Sequence, residues 1–317
     1  GIVLLSGAEE SVLTSVQKLG ESLNLNMFGS LPKPFSLEEF ESTIRRFSSS
    51  QQPSKSYQTT NTPLSFDLDK IKHYLAESWL YPVYQPQVNP TSMKVEGFEC
   101  LSRMCHPDKG FISPPVFIDH FTEQGLIADY TLLLVDKALT ETIRLLQANP
   151  TLVISFNVSA LSLNQGFTSD FLNVVSAHNV DSKQVTIEIT ETSAICLSDE
   201  ALYAVSKFRT QGFNLSVDDF GTGYSTFLQL NDLPFTELKV DKTFVDRIAE
   251  NDKSYKIVKA SIMLADIMDL KSVAEGVETI KQLNLIKELN CNLVQGYIYS
   301  RPLLFPEFSD FLNNFNA

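Results

Sequence analysis

The sequence predicts an α/β protein, a (β/α)8 barrel preceded by a small α/β segment. Three observations carry this reading. From residue 66 onward, eight short strand-like runs alternate with helix-like runs over ~250 residues, the usual length of such a barrel. Several of those strands alternate polar and apolar residues with period two. A stretch at 48–64 is rich in Ser, Gln, Thr and Pro and reads as a flexible linker between two units. With 317 residues, 43% of them hydrophobic and 20% charged, the chain is large enough for one large or two ordinary domains and can bury a substantial core.

Taken in order, the front segment reads as a strand at 2–6, a helix at 9–22, a strand at 26–31 and a helix at 37–47. Ser36 supplies an N-cap to the last of these, and Glu38 and Glu39 lie in its first turn, where the helix dipole favours acids. A β-α-β-α unit of this size is half of an α/β sheet and leaves a strand edge uncovered. The chain opens without Met, directly into Ile2-Val3-Leu4-Leu5, and so reads as a piece of a longer protein. The expected organisation is 1–47 as a partial domain, 48–64 as linker and 65–317 as the barrel.

Past the linker, a helix at 66–78 precedes strands near 80–85, 95–101, 152–158, 185–189, 214–218, 237–240, 272–274 and 293–298. Helices are expected between most of them, among them 130–147, 200–211, 254–268 and 279–289. Tyr130-Thr131-Leu132-Leu133-Leu134-Val135 reads as helix core, and Trp79 as packing at the start of the barrel.

The alternation is clear in Thr186-Ile187-Glu188-Ile189-Thr190, Ser155-Phe156-Asn157-Val158-Ser159, Asn214-Leu215-Ser216-Val217-Asp218, Glu237-Leu238-Lys239-Val240-Asp241 and Phe98-Glu99-Cys100-Leu101. On an open sheet the polar face would meet solvent. In a barrel the apolar face goes outward under the helices, and the polar residues converge inside, toward the C-terminal mouth where barrel active sites lie. The inward set is then Glu99, Asn157, Glu188, Asp218, Asp219, Lys239 and Glu275.

Carboxylates ~4 Å apart repel by roughly 4 kcal/mol per pair at an effective dielectric of ~20. One lysine cannot neutralise five of them, so either several are protonated or a divalent cation is bound. Oxygen-only ligands without His or Cys suit Mg²⁺, Mn²⁺ or Ca²⁺. The adjacent pair Asp218-Asp219 can place a carboxylate between two ions, the arrangement that stabilises both the attacking and the leaving oxygen in phosphodiester hydrolysis. Phe220-Gly221-Thr222-Gly223-Tyr224 follows, and its two glycines permit a tight turn beside these ligands.

The remaining composition narrows the partners. A net charge of −13 argues against broad nucleic-acid or anionic-membrane binding, both of which need a basic face. No run approaches the ~18–20 apolar residues of a membrane span, and no signal peptide is visible. The four cysteines (Cys100, Cys105, Cys196, Cys291) are scattered, so a reduced, cytoplasmic protein is expected. Cys105 and His106 do not make a zinc site, and His106 reads as a loop residue.

From about 66 to 317 the chain resembles the EAL-domain phosphodiesterases, which hydrolyse the bacterial second messenger cyclic di-GMP to linear pGpG. The signature triplet stands here as Glu99-Cys100-Leu101, within Glu99-Cys100-Leu101-Ser102-Arg103. Tyr84-Gln85-Pro86, Asn157-Val158-Ser159, Glu188-Ile189-Thr190-Glu191, Asp218-Asp219-Phe220-Gly221-Thr222-Gly223, Lys239-Val240-Asp241, Ala274-Glu275-Gly276-Val277-Glu278 and Gln295-Gly296-Tyr297 follow in the family's order. The resemblance implies a modified barrel whose first strand is antiparallel to the others, and two Mg²⁺ or Mn²⁺ ions, with Ca²⁺ inhibitory because its longer, looser coordination places the attacking water poorly.

It also implies roles. Glu99, Asn157, Glu188 and Asp218 would hold the first metal; Asp218 would bridge to a second, also held by Asp219 and near Glu275. Lys239, Glu275 and Glu99 are placed in catalysis, with Lys239 orienting the attacking water. A depressed pKa at Lys239 would instead allow it to act as a base. Arg103 and the backbone at Leu101 would meet a substrate phosphate, while Gln85, Glu278 and Gln295 would lie near the guanine and the phosphodiester. Glu191 would tether the loop of Gly221, Thr222 and Gly223, which in this family links the interface of a homodimer to metal binding. Cys100 stands where the family usually has Ala, and Met104 where Trp is common after Arg103; neither is an expected ligand.

The first 47 residues resemble the C-terminal half of a response-regulator receiver, on Leu31-Pro32-Lys33-Pro34-Phe35 after the second strand and Ser6-Gly7 after the first. A full receiver would take its phosphoryl group from an upstream histidine kinase. Two other functions fit the same residues, a cyclic di-GMP receptor that binds without turnover and a metal-dependent hydrolase of another phosphodiester.

Overall fold

The computed structural model describes residues 2–6, 27–32, 66–195, 197–222 and 232–315. The chain divides into two compact units, Gly1–Thr62 and Pro63–Ala317. In the first, β1 (Ile2–Ser6) pairs in parallel with β2 (Met27–Pro32), from Ile2 opposite Met27 to Ser6 opposite Pro32. The helices expected at 9–22 and 37–47, the linker and the Lys33-Pro34 pair lie outside the described residues.

The second unit opens with α1 (Leu68–Ala76), capped by the Asp67 side chain, which accepts from Lys70 N. The barrel strands are β3 (Leu80–Asn89), β4 (Lys94–His106), β6 (Val153–Asn157), β7 (Val185–Thr190), β8 (Asn214–Phe220), β9 (Glu237–Val240), β10 (Lys271–Ala274) and β11 (Leu293–Gln295). The short β5 (Gly110–Ile112) pairs back on β4. Strand order runs β3-β11-β10-β9-β8-β7-β6-β4, and β4 pairs with β3, so the sheet closes on itself. Strand β3 is antiparallel to both of its neighbours, and the other pairings around the barrel are parallel. The fold is therefore the expected (β/α)8 barrel with its first strand reversed.

Between the strands lie α2 (Pro114–Glu123), α3 (Ile127–Ala148), α4 (Gln165–Ala177), α5 (Glu191–Ile195), α6 (Asp199–Thr210), α7 (Lys242–Val245), α8 (Asp252–Ile267) and α9 (Ile280–Glu288), with α10 (Phe305–Phe315) at the end. Their apolar stripes cover the outward strand residues. In α4, Phe167, Phe171 and Val175 recur every four residues and are buried, with Phe171 packed edge-on against Phe208 of α6. In α10, Phe308 is buried 4.8 Å centroid-to-centroid from Phe98 of β4. Each such ring contributes roughly 1.5–3 kcal/mol by burial. Among the described residues no helix is long and apolar enough to cross a membrane, and Cys100, Cys105 and Cys291 are unpaired.

Three strands differ most from the sequence expectation, for identifiable reasons: β4 runs on past Leu101 to His106, where it pairs with β5, and β3 and β11 also differ. Strand β3 continues past Pro86 to Asn89, although proline is ordinarily confined to sheet edges. Along β3, Pro82 and Pro86 share the parity of Tyr84, whose N–H leaves the β4 ladder and donates to Leu303 O at 2.8 Å. On that side β11 pairs only with Gln87 and Val88, so no ladder bond is lost at the prolines. Strand β11 stops at Gln295 because the backbone turns there into the segment after β10. Gly296 passes so close that a Cβ on it would lie 2.1 Å from Val277 O, and Ile298 N donates to the same carbonyl at 3.0 Å.

Candidate active site

Parity and register bring the polar residues together inside the barrel. Glu99 of β4 stands opposite Gln85 of β3, Asn157 of β6 beside Glu188 of β7, and Thr190 of β7 beside Asp218 of β8. Lys239 rises from β9, and Glu275 follows β10 with its N–H donating to Val240 O at 3.1 Å.

Adjacent residues of a strand face opposite sides, so Asp218 and Asp219 could not both reach the site from a regular β8. A bulge resolves this. Between β8 and β9, Val217 pairs with Leu238 and Phe220 with Val240, which leaves one extra residue on β8. Asp219 adopts φ +57°, a left-handed conformation that Asp tolerates better than most residues. Its carboxylate, with those of Asp218 and Glu275, offers ligand oxygens all within 4.8 Å of one another.

Lys239 is fully buried, and its Nζ lies 2.7 Å from Glu188 Oε2, 2.7 Å from Glu275 Oε1, 3.2 Å from Asp218 Oδ1 and 3.5 Å from Glu99 Oε2. Glu99 is further held by two amides, Asn157 Nδ2 donating to Oε1 at 2.6 Å and Gln295 Nε2 to Oε2 at 2.6 Å. Gln295 Nε2 also donates to Gln85 Oε1 at 3.1 Å.

The electrostatics follow from burial and crowding. Burial and the neighbouring Asp218 and Glu99 push Glu275 up to about 8 despite Lys239. Burial, Asp218 and Asp241 push Asp219 up to about 6. Glu188 is raised well above the carboxylate range by burial, and by Glu99 and Asp218. Burial also opposes the charge of Glu99, yet Lys239 and the Gln295 and Asn157 amides hold its pKa low. Burial would depress Lys239, but Asp218, Glu188, Glu275 and Glu99 outweigh it and raise its pKa well above the ordinary value. The lysine is thus held charged, the opposite of what a general base requires.

Excess negative charge remains around one cation. Glu188 Oε1 is buried without a hydrogen-bond partner, a costly state for a carboxylate oxygen unless a cation takes it. The donor set is all oxygen. These residues fit a divalent cation that takes oxygen ligands.

The other expected site residues are placed as follows. Arg103 and Leu101 line a cavity of about 590 Å³ that reaches Asn157 and Glu188. Glu278 stands apart from the buried cluster, its half-exposed carboxylate accepting from Lys242 Nζ at 2.6 Å. Glu191 Oε2 accepts from Gly221 N at 2.8 Å, and Thr222 Oγ1 donates to Asp219 O at 2.8 Å. Gly221 has φ +101°, and a Cβ there would lie 3.0 Å from Phe244. Gly223 lies outside the described residues. His106, expected in a loop, is instead the last residue of β4, opposite Gly110 of β5, and its Nε2 lies 3.0 Å from Tyr74 OH.

Sequence reasoning missed three contributors. Asp241, at a strand end, helps to raise Asp219; its place after Lys239-Val240 was the available signal. Lys242 pairs with Glu278 and lies 5.4 Å from the Tyr297 ring centroid. Gln87 donates from Nε2 to Gln295 Oε1 at 3.0 Å; it shares the inward parity of Gln85.

Residues 68–302 match the family described as EAL domain. The chain is 28% identical over 312 residues to the cyclic di-GMP phosphodiesterase RocR of Pseudomonas aeruginosa, covering 98% of this chain and 79% of RocR. It is 33% identical over 238 residues to the bifunctional diguanylate cyclase/cyclic di-GMP phosphodiesterase MucR of the same organism, covering 74% of this chain but only 35% of MucR. The structure is similar to that of the PaMucR phosphodiesterase in complex with c-di-GMP, with a TM-score of 0.71 at 32% identity over 76% of this chain and 98% of that one.

Proposed function

The chain belongs to the EAL-domain family, and on that premise we propose that it hydrolyses cyclic di-GMP to linear pGpG with the help of two divalent cations, Mg²⁺ or Mn²⁺. The observation that carries the proposal is the buried convergence of Glu99, Glu188, Asp218 and Glu275 on Lys239, with Glu188 Oε1 left unpartnered. Glu99, Asn157, Glu188 and Asp218 would hold one ion, and Asp218, Asp219 and Glu275 the other. Bound divalent ions would supply Lewis-acid activation of the phosphodiester and of the attacking water.

The chain's own side chains do the rest. Lys239, held charged, donates to and orients the attacking water and takes no proton from it. Arg103, from the cavity wall, grips a phosphate of the substrate, with the Leu101 backbone beside it. Gln85 and Gln295 face the reacting phosphodiester, and Glu278 lies toward the guanine. The Glu191–Gly221 hydrogen bond ties the loop after Asp219 to β7 and α5, so a change in that loop, at the interface of a homodimer, would move a metal ligand. The front segment is receiver-like, a full receiver being what a histidine kinase phosphorylates, and the protein works in the cytoplasm.

The test is product analysis. The purified chain incubated with cyclic di-GMP and Mg²⁺ is expected to yield pGpG; tight binding with no product would leave a receptor, and cleavage of other phosphodiesters in preference would change the substrate. Replacing Mg²⁺ by Ca²⁺ is expected to lower turnover at least ~10-fold, because Ca²⁺ coordinates at longer, less regular distances. Equal turnover in the two ions would contradict the proposed use of the metals.

The raised carboxylates set a pH dependence. Glu275 near 8 and Asp219 near 6 retain protons in the folded protein that the unfolded chain, titrating near ~4, has released. Their contribution to stability is full below ~4 and is lost as pH rises through the folded values. Glu99, shifted down, changes only in acid, and Lys239, shifted up, only in strong alkali. In EDTA the melting temperature is therefore expected to fall between pH 6 and 8.5, and Mg²⁺ to reduce that fall by binding the deprotonated form. A melting temperature that rises over this interval in EDTA would contradict the assignment.

A further inference from the structure

Glu99 is oriented through side-chain amides, and an amide has a donor end and an acceptor end. At Gln295 one orientation places the NH2 on Glu99 Oε2 and Gln85 Oε1, at 2.6 and 3.1 Å. The reverse orientation would set a carbonyl oxygen against the carboxylate. A third amide selects between them: Gln87 Nε2 donates to Gln295 Oε1 at 3.0 Å, which is possible only when the oxygen points away from Glu99. Gln87 is 2% exposed, opposite Gln295 in the β3–β11 register and opposite Gly97 in the β3–β4 register. A Cβ at Gly97 would lie 2.7 Å from Gln87 Oε1, so the glycine makes room for this amide.

We propose that Gln87 is a positioning residue of the active site: through Gln295 it fixes the orientation of Glu99 and so pre-forms the cation site. The inference rests on the reading of the Glu99 cluster as a metal centre. Outer-shell partners of this kind change metal affinity or activity by ~10–100-fold when removed.

Three substitutions in the full chain separate hydrogen-bond polarity from packing. Gln87→Lys keeps a donor toward Gln295 Oε1, with Glu96 and Glu237 lining the same end of the barrel. Gln87→Met keeps volume without a donor, and Gln87→Glu offers an acceptor. Mg²⁺ affinity is read by titration calorimetry at pH 8.5, beside kcat and KM for cyclic di-GMP and the melting temperature in EDTA. Gln87→Glu is expected to weaken Mg²⁺ binding at least ~10-fold and to lower kcat more than it raises KM, Gln87→Met to weaken it ~3–10-fold, and Gln87→Lys to stay within ~2-fold. Gly97→Ala, which displaces Gln87 without changing its chemistry, is expected to follow Gln87→Met, and serves where a position-87 variant does not fold. Equal effects of Gln87→Lys and Gln87→Glu, or wild-type Mg²⁺ affinity in Gln87→Glu and Gly97→Ala, would overturn the relay alone. A wild-type chain that binds no Mg²⁺ would overturn the metal centre and the relay together.

Discussion

Replacing Glu99 by alanine is expected to remove Mg²⁺ binding at the first site and to lower pGpG formation at least ~100-fold. The side chain is 5% exposed and accepts from Asn157 and Gln295, so its loss removes a ligand, takes the acceptor from the Asn157 amide and leaves Gln295 Nε2 with Gln85 Oε1 alone. It also removes a charge that helps to hold Lys239 in place, 3.5 Å away. Glu99→Gln keeps the shape but removes the charge and turns one acceptor into a donor facing Asn157 or Gln295; it too should abolish Mg²⁺-dependent turnover. Calorimetry and product analysis on the same preparation check both effects, and turnover within ~3-fold of wild type in Glu99→Ala would remove this residue from the metal centre.

Lys239→Ala should behave in the opposite way toward metal while also losing activity. The variant leaves Glu99, Glu188, Asp218 and Glu275 crowded together without their shared cation. Removing one partner of a buried ionic cluster costs ~3–5 kcal/mol, so in EDTA the urea midpoint is expected to fall by an equivalent amount. Protonation of the raised carboxylates cushions that loss at low pH, so the effect is larger at pH 8.5 than at pH 6. Mg²⁺ binding is retained, because the four carboxylates remain, and saturating Mg²⁺ recovers much of the lost stability. Turnover should nonetheless fall ~100-fold or more, since no charged donor then orients the attacking water. Full activity in Lys239→Ala would disprove that role.

Much of this site was legible because β-strand parity is a strict rule. Glu99, Asn157, Glu188, Asp218 and Lys239 each fall on the polar side of a period-two pattern, and closure of the sheet brings those sides together. Asp219 was legible only as a neighbour of Asp218: its inward turn depends on a bulge and a positive φ that periodicity cannot express. Gln87 sat in a run interrupted by prolines, which concealed the full length of β3; only the shortness of β11 on the far side makes Pro82 and Pro86 tolerable there. The pairing of Glu278 with Lys242 joins residues 36 positions apart, one in the loop after β10 and the other opening α7, and no repeat pattern links them. The closing helix α10 has phenylalanines at 305, 308, 311 and 315, a helical stripe that short-strand counting passed over.

The most direct test of the account is anomalous diffraction from crystals of this chain grown with Mn²⁺. Two manganese peaks are expected, one among Glu99, Asn157, Glu188 and Asp218, the other reached by Asp218, Asp219 and Glu275. Manganese bound elsewhere on the protein with none at these carboxylates would contradict it.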